Sequence, residues 1–117
     1  MKFTVSKRFT FEAAHSLPQL PVGHKCRNLH GHSYVVEIHC SGPLDARGFV
    51  VDYAEISAAV RPVLDRLDHR NLNDILPCPT TAENLGAWLM AELTPALPTL
   101  SRVDVYETAK ACARVER

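Results

Sequence analysis

Between Lys2 and His15 the chain reads KFTVSKRFTFEAAH, and its polarity alternates almost without interruption. Phe3, Val5, Phe9, Phe11, Ala13 and His15 fall on one side. Lys2, Thr4, Ser6, Arg8, Thr10 and Glu12 fall on the other, with Lys7 the one exception on the apolar side. A period of two over this length is that of a half-buried β-strand. Such a strand needs partners at its edges and a covering layer on its apolar face. The covered face ends in an imidazole, His15.

A second alternating run follows. From His30 to Cys40, Tyr34, Val36, Ile38 and Cys40 share the side that carries His30 and His32. Gly31 points the other way and lets another backbone come close. SGPLDARG (Ser41–Gly48) reads as a turn, and Phe49–Val51 as a short further strand. The period then changes. Asp52 with Glu55 resembles a capping box, and Ile56, Val60, Val63, Leu64 and Leu67 follow at helical spacing, with Pro62 expected to kink or divide that helix. DHRNLNDILPCP (Asp68–Pro79) reads as a loop. Thr80 with Glu83 repeats the capping signal before Leu85, Trp88, Leu89 and Leu93, and Pro95 and Pro98 end the second helix. Val103, Val105, Glu107 and Ala109 alternate again, and Ala111–Val115 suits a last short strand. Two long strands, two helices and two strands make an α+β fold with an antiparallel sheet.

The 117 residues, 46% of them apolar, suffice for one domain, 1–117, with a packed core. Thirteen Lys and Arg balance thirteen Asp and Glu. That neutrality argues against a phosphate-backbone binder and leaves open a small anionic substrate. No stretch is long and apolar enough to span a membrane, and the first residues lack the apolar segment of a signal peptide. Cys26, Cys40, Cys78 and Cys112 form no C-x-x-C pair, which fits reduced thiols in a cytoplasmic protein. Cys40, Cys78 and Cys112 read as small buried residues.

Side chains two apart on a strand point the same way, so His30 and His32 present two imidazoles on one face, and His15 ends the matching face of the neighbouring strand. Three imidazoles converging there suit Zn²⁺ with a fourth position open, the form of a catalytic zinc site. His39 falls on the opposite face, where solvent exposure is expected, and His24 shapes a loop. Cys26 has two readings. It is a fourth ligand closing a structural site, or a nucleophile or base beside an open one. Lys25 and Arg27 flank it, and neighbouring cations favour a reactive thiolate. Asp68 next to His69 supplies the parts of a proton relay. Glu107 sits on an apolar face, which is costly for a carboxylate unless it is paired or meets a ligand. A planar pair of donors is its natural partner.

Five segments in this order resemble the 6-pyruvoyltetrahydropterin synthase-like enzymes over nearly the whole chain. They are FTFEAAHSLP, GHKCRNLHGHSY, LDHRNLND, PTTAENLG and YET. The resemblance is nearest to the bacterial branch that forms 6-carboxytetrahydropterin. It implies the tunnelling fold, a four-stranded antiparallel sheet with two helices on one side. It also implies subunits closing into barrels, a homohexamer made of two trimers, and active sites between subunits. It implies zinc on His15, His30 and His32, and Cys26 as proton acceptor with Asp68 and His69 in the relay. Glu107 would hold the 2-amino and N3–H edge of a pterin. Thr80 and Thr81 would be among the substrate contacts, and Lys25, Arg27 and Lys110 are the nominees for phosphate. The implied reaction converts 7,8-dihydroneopterin triphosphate to 6-carboxy-5,6,7,8-tetrahydropterin, acetaldehyde and triphosphate on the way to queuosine and other deazapurines.

Three other readings compete. One is the 6-pyruvoyltetrahydropterin synthase activity of the same family. Another is a cupin-type metal oxygenase, for which HGHSYVVE fits H-x-H-x4-E, although Glu37 is an odd step from His32 and faces away unless a bulge intervenes. The last is a structural zinc module with Cys26 on the metal.

Overall fold

The computed structural model describes residues 1–117. Strands β1 (Phe3–His15) and β2 (His30–Gly42) pair antiparallel without a break, from Phe3 opposite Gly42 to His15 opposite His30. Helix α1 (Tyr53–Asp65), strand β3 (Arg70–Asn71), helix α2 (Ala82–Leu93) and strands β4 (Leu100–Thr108) and β5 (Ala111–Glu116) follow. The sheet order is β3-β1-β2-β4-β5.

The four long strands are antiparallel, but the sheet is not the expected four-stranded one. β3 runs parallel to β1, pairing Arg70 with Ala13 and Asn71 with Ala14, so the sheet has five strands and is mixed. Two residues are too few to show a period, and β3 is held by its neighbours: the backbone N–H of His69 donates to Glu12 O at 2.6 Å. No strand forms at Phe49–Val51. Asp45 accepts the N–H of Arg47 at 2.8 Å and of Phe49 at 3.0 Å, which closes a turn, while Val50 still reaches the core.

One face of the sheet presents Phe9, Phe11, Tyr34, Val36, Ile38, Val103 and Val105. Ile56, Val60 and Leu64 of α1 and Leu85, Leu89 and Leu93 of α2 join them in a single apolar core. Burying each of the larger side chains contributes about 1.5–3 kcal/mol relative to exposure. Lys7, the polar interruption on this face, sends its Nζ to Ser57 Oγ of α1 at 2.6 Å. Its stem covers apolar surface while its charge is satisfied.

Asp52 caps α1 by accepting the N–H of Ala54, and Glu55 accepts the N–H of Asp52 in return. Pro62 lies inside α1 and does not divide it. It sits near the end, where the missing N–H would have served only Ala58. The cap of α2 is Thr81, whose Oγ1 accepts the N–H of Asn84 at 3.1 Å, one residue beyond the expected Thr80. Thr80 is spent elsewhere, as described below. α2 crosses the sheet closely at Gly86, where a Cβ would stand 2.7 Å from Val115 Cγ2. Cys40 is buried, but Cys78 and Cys112 are exposed, contrary to expectation: Cys78 lies in the loop before α2 and Cys112 on the edge strand β5.

Candidate metal and substrate site

The register of β1 on β2 builds the centre. His15 is directly opposite His30, Ala13 opposite His32 and Phe11 opposite Tyr34. The three imidazoles stand edge to face, with ring centroids 4.6 Å (His15–His30), 5.1 Å (His15–His32) and 4.9 Å (His30–His32) apart. One nitrogen of each lies within 4.8 Å of those of the other two. Small Ala13 opposite His32 leaves the rings this space.

Two of the rings are oriented by carbonyls. His15 Nδ1–H donates to Thr80 O at 2.8 Å, and His30 Nδ1–H to Asn28 O at 2.7 Å. Each bond fixes the tautomer that leaves Nε2 as a free lone pair, the usual arrangement around a metal-binding histidine. His15 Nε2 and His32 Nε2 are buried and have no partner in the chain. Burial holds His15 below the usual histidine value, which the Thr80 carbonyl and the Glu107 charge only partly offset. Two buried imidazole nitrogens without a partner, with the third imidazole beside them, fit a soft-to-borderline divalent cation such as zinc.

Sequence reasoning missed the clasp behind His15. Asn73 Oδ1 accepts the N–H of Ser16 and Asn73 Nδ2 donates to Ser16 O, both at 2.9 Å, as a neighbouring strand would. Thr80 Oγ1 reaches the same Ser16 carbonyl at 3.3 Å. The end of β1 is thus locked to the loop that presents the Thr80 carbonyl. Asn73 in LND, inside the predicted loop, is the only available signal, and it resembles any turn asparagine.

Cys26 lies in a 3₁₀ turn, Lys25–Arg27, and is partly buried. Its carbonyl accepts the N–H of Leu17, two residues after His15, at 2.8 Å. Its N–H donates to His24 Nδ1 at 3.1 Å, so His24 shapes this loop. Cys26 is outside the cluster of three histidine nitrogens. Arg27 holds the same loop through Nη1, which donates to Pro18 O at 2.6 Å and Leu20 O at 2.7 Å. Lys25 and Lys110 are exposed, the latter in the hairpin between β4 and β5.

Glu107 occupies a bulge. Pairing of β4 with β5 slips between Tyr106 and Thr108, so Glu107 stands opposite no residue of β5. Bulges re-aim side chains near sites, and here the carboxylate comes to 3.8 Å from His32 Nε2. It lines a cavity of about 410 Å³ together with Leu17, Thr81, Glu83 and Cys112. No donor of the chain hydrogen-bonds it.

Asp68 and His69 do touch. Asp68 Oδ1 lies 3.1 Å from His69 Nδ1 and also accepts the N–H of Glu12 at 2.9 Å. The Glu12 N–H foremost, and His69 next, hold the Asp68 carboxyl below its usual range. His69 is the one non-glycine residue at positive φ, 58°. Its side chain is 78% exposed in a cleft of about 520 Å³ lined by Glu12, Gly31, Ser33 and Arg70. Cys26 does not line that cleft.

A second group, Glu37, His39 and Asp104, lies on the face away from the helices. His39 is not solvent-exposed as expected, because its Nε2 sits 3.3 Å from Asp104 Oδ2 with its side chain 13% exposed. Asp104 is already held by Arg102 Nη2 at 3.0 Å and Arg114 Nε at 3.1 Å, and Glu37 by Arg8 at 2.8 Å. These guanidiniums leave no role for a cation there. Glu37 therefore does not join His30 and His32, and the cupin ligand set is not assembled.

A two-layer α+β fold with a three-histidine centre at one end of its long β1–β2 ribbon and a bulged glutamate beside it defines the class. The chain belongs to the 6-pyruvoyl tetrahydropterin synthase family of enzymes, whose family pattern matches residues 4–117. It is 39% identical over 118 aligned residues to the 6-carboxy-5,6,7,8-tetrahydropterin synthase of Synechocystis, covering 94% of this chain and 90% of that one. It is 34% identical to the dihydroneopterin monophosphate aldolase of Pyrococcus furiosus, covering 92% and 91%. It superposes on the 6-pyruvoyl tetrahydropterin synthase of Caenorhabditis elegans with a TM-score of 0.90 at 28% identity, covering 100% and 96%. Those names describe three reactions, so membership alone does not choose the product. No helix is long and apolar enough to cross a membrane.

Proposed function

We propose that this chain is a zinc-dependent lyase converting 7,8-dihydroneopterin triphosphate and one water to 6-carboxy-5,6,7,8-tetrahydropterin, acetaldehyde and triphosphate, a cytoplasmic step toward queuosine and other deazapurines. The observation that carries the proposal is the pair of buried nitrogens without a hydrogen-bond partner, His15 Nε2 and His32 Nε2, the second of them 3.8 Å from the Glu107 carboxylate. A metal site and a planar-donor site adjoin.

His15, His30 and His32 would hold the ion. Zinc, when bound, supplies a Lewis acid that makes the hydroxyls of the substrate side chain more acidic. Glu107 accepts the 2-amino and N3–H edge of the pterin, with Thr81 lining the same cavity, while Thr80 is buried and serves the site by holding His15. Cys26 takes a proton from the side chain. Asp68, kept ionised by the Glu12 N–H, orients His69 through Nδ1 and leaves its Nε2 facing open space to give or take the other proton. Lys25 and the unengaged nitrogens of Arg27 are the candidates for the triphosphate, with Lys110 a further one.

The relay supports sites shared between subunits. His69 opens into a cleft that Cys26 does not line, so the two meet most simply across a boundary between copies. β5, and β1 from Phe3 to Glu12, are sheet edges that another copy would cover. A homohexamer follows the family pattern.

The carboxy product is favoured by loop length. Cys26 is separated from His30 by three residues only, and Asn28, inside that spacer, already supplies the carbonyl that orients His30. The thiol is thereby tied to the metal-bearing strand, and a shift of about 1 Å changes a proton-transfer step greatly. The proposal is tested by turnover of dihydroneopterin triphosphate that chelation abolishes and zinc alone restores. Undiminished turnover after the metal is removed would exclude it.

A further inference from the structure

Three buried side-chain polar atoms in this chain have no hydrogen-bond partner: His15 Nε2, His32 Nε2 and the hydroxyl of Tyr34. All three belong to one group of touching rings. Tyr34 packs edgewise on His32, with centroids 5.5 Å apart, and on His15 at 6.1 Å. Its flat side stacks on Phe11, its cross-strand partner, at 5.0 Å and 6°.

Packing does not require the hydroxyl. Phenylalanine would fill the same space and keep the stack on Phe11 without burying an unanswered donor. Tyr34 is completely buried. A polar group left unpaired in such a place is a standing cost to the fold, and its ring neighbours cannot relieve it. Phe11 offers no polar atom, His15 Nδ1 is committed to the Thr80 carbonyl, and no nitrogen of His15 or His32 lies within hydrogen-bond distance of the hydroxyl. Other buried polar side chains are answered: Asp104 by two arginines, Thr80 by His15 and Ser16. The unanswered donor thus belongs to a ring packed against the two rings whose nitrogens are also unanswered.

We propose that the Tyr34 hydroxyl is a member of the three-histidine site and donates a hydrogen bond to the oxygen held there, water in the resting protein and a substrate hydroxyl during turnover. The inference rests on the zinc reading above. Its role is to orient that oxygen beside Glu107, a contact that no residue implied by the family resemblance supplies.

The test compares wild type and Tyr34→Phe with and without metal. The apo variant should melt no lower than apo wild type, because the hydroxyl has no partner in the chain. Zinc binding, measured by competition with a chromogenic chelator, should weaken about three- to ten-fold, the range of one neutral hydrogen bond. The visible bands of the cobalt(II)-loaded variant should shift, since the bound oxygen loses a donor. In wild type labelled at tyrosine Cζ, adding zinc should move the Tyr34 resonance and leave those of Tyr53 and Tyr106 in place. Unchanged zinc affinity and cobalt bands would overturn the proposal. So would an apo variant that loses as much stability as the loaded one, because the partner would then lie within the chain. Wild type that takes up no zinc, or His32→Ala that keeps it, would sink the metal reading itself and this proposal with it.

Discussion

The Nδ1–H of His15 donates to the backbone carbonyl of Thr80 at 2.8 Å, across 65 residues of chain. Thr80 precedes the cap of α2, so the loop before that helix sets the tautomer of a strand histidine. A helix boundary shifted by one residue, from Thr80 to Thr81, is what frees Thr80 for this task.

Because the proposed zinc site draws on only three imidazole nitrogens, removing one should disable it. His30→Ala and His32→Ala are expected to purify with zinc well below one equivalent per chain while keeping a native circular dichroism spectrum. Full zinc occupancy in either would place the metal elsewhere.

Cys26→Ala should retain zinc and fold and lose turnover by about 100- to 10,000-fold, the usual effect of deleting an acid–base group. His69→Ala should do the same. If the two residues serve one site from different subunits, dissociating and re-associating a mixture of the two inactive proteins will restore part of the activity. Near-normal turnover by Cys26→Ala would remove its assigned role, and a mixture as inactive as its components would remove the sharing.

Asp104 predicts how stability depends on pH. Burial pushes its carboxyl up, but Arg102 and Arg114 outweigh burial and hold it below the ordinary aspartate value. A depressed folded value stabilises the protein above the unfolded value, about 3.9, and that contribution is lost as pH falls through the folded one. Asp104→Asn should cost about 1.5–3 kcal/mol at pH 7, the worth of a charge-assisted hydrogen bond. It should also flatten the fall of the denaturation midpoint between pH 5 and pH 2.5. An acid limb as steep as wild type's would contradict this account of Asp104.

Gly86→Ala sets two effects against each other. Alanine gains about 1 kcal/mol in a helix, but its Cβ meets Val115 Cγ2 at 2.7 Å and Val105 Cγ2 at 3.5 Å, and overpacking costs about 1–3 kcal/mol. A net destabilisation of up to about 2 kcal/mol in chemical denaturation is expected. A stabilised variant would mean that the edge strand β5 yields to the new methyl group.

The long strands, both helices and the three histidines were legible because each repeats a period over many residues, and His15, His30 and His32 lie on that period. Glu107 was legible as a carboxylate on an apolar face, but its bulge was not, since one inserted residue at a strand end leaves the alternation before it intact. β3 has two residues, paired with Ala13 and Ala14 of a strand distant in sequence. Cys78 and Cys112 read as core because free thiols usually are, and their exposure follows from where a loop and a sheet edge lie in space. His39 reads as exposed for the same kind of reason, its partner Asp104 being 65 residues away on β4. The Asn73 clasp and the unpaired Tyr34 hydroxyl are relations between distant segments, which no local pattern encodes.

The most direct test of the whole account is mass analysis of an anaerobic reaction of the zinc-loaded protein with 7,8-dihydroneopterin triphosphate. The expected products are 6-carboxy-5,6,7,8-tetrahydropterin, acetaldehyde and triphosphate. Retention of all three side-chain carbons as 6-pyruvoyltetrahydropterin, with no acetaldehyde, would contradict the assignment.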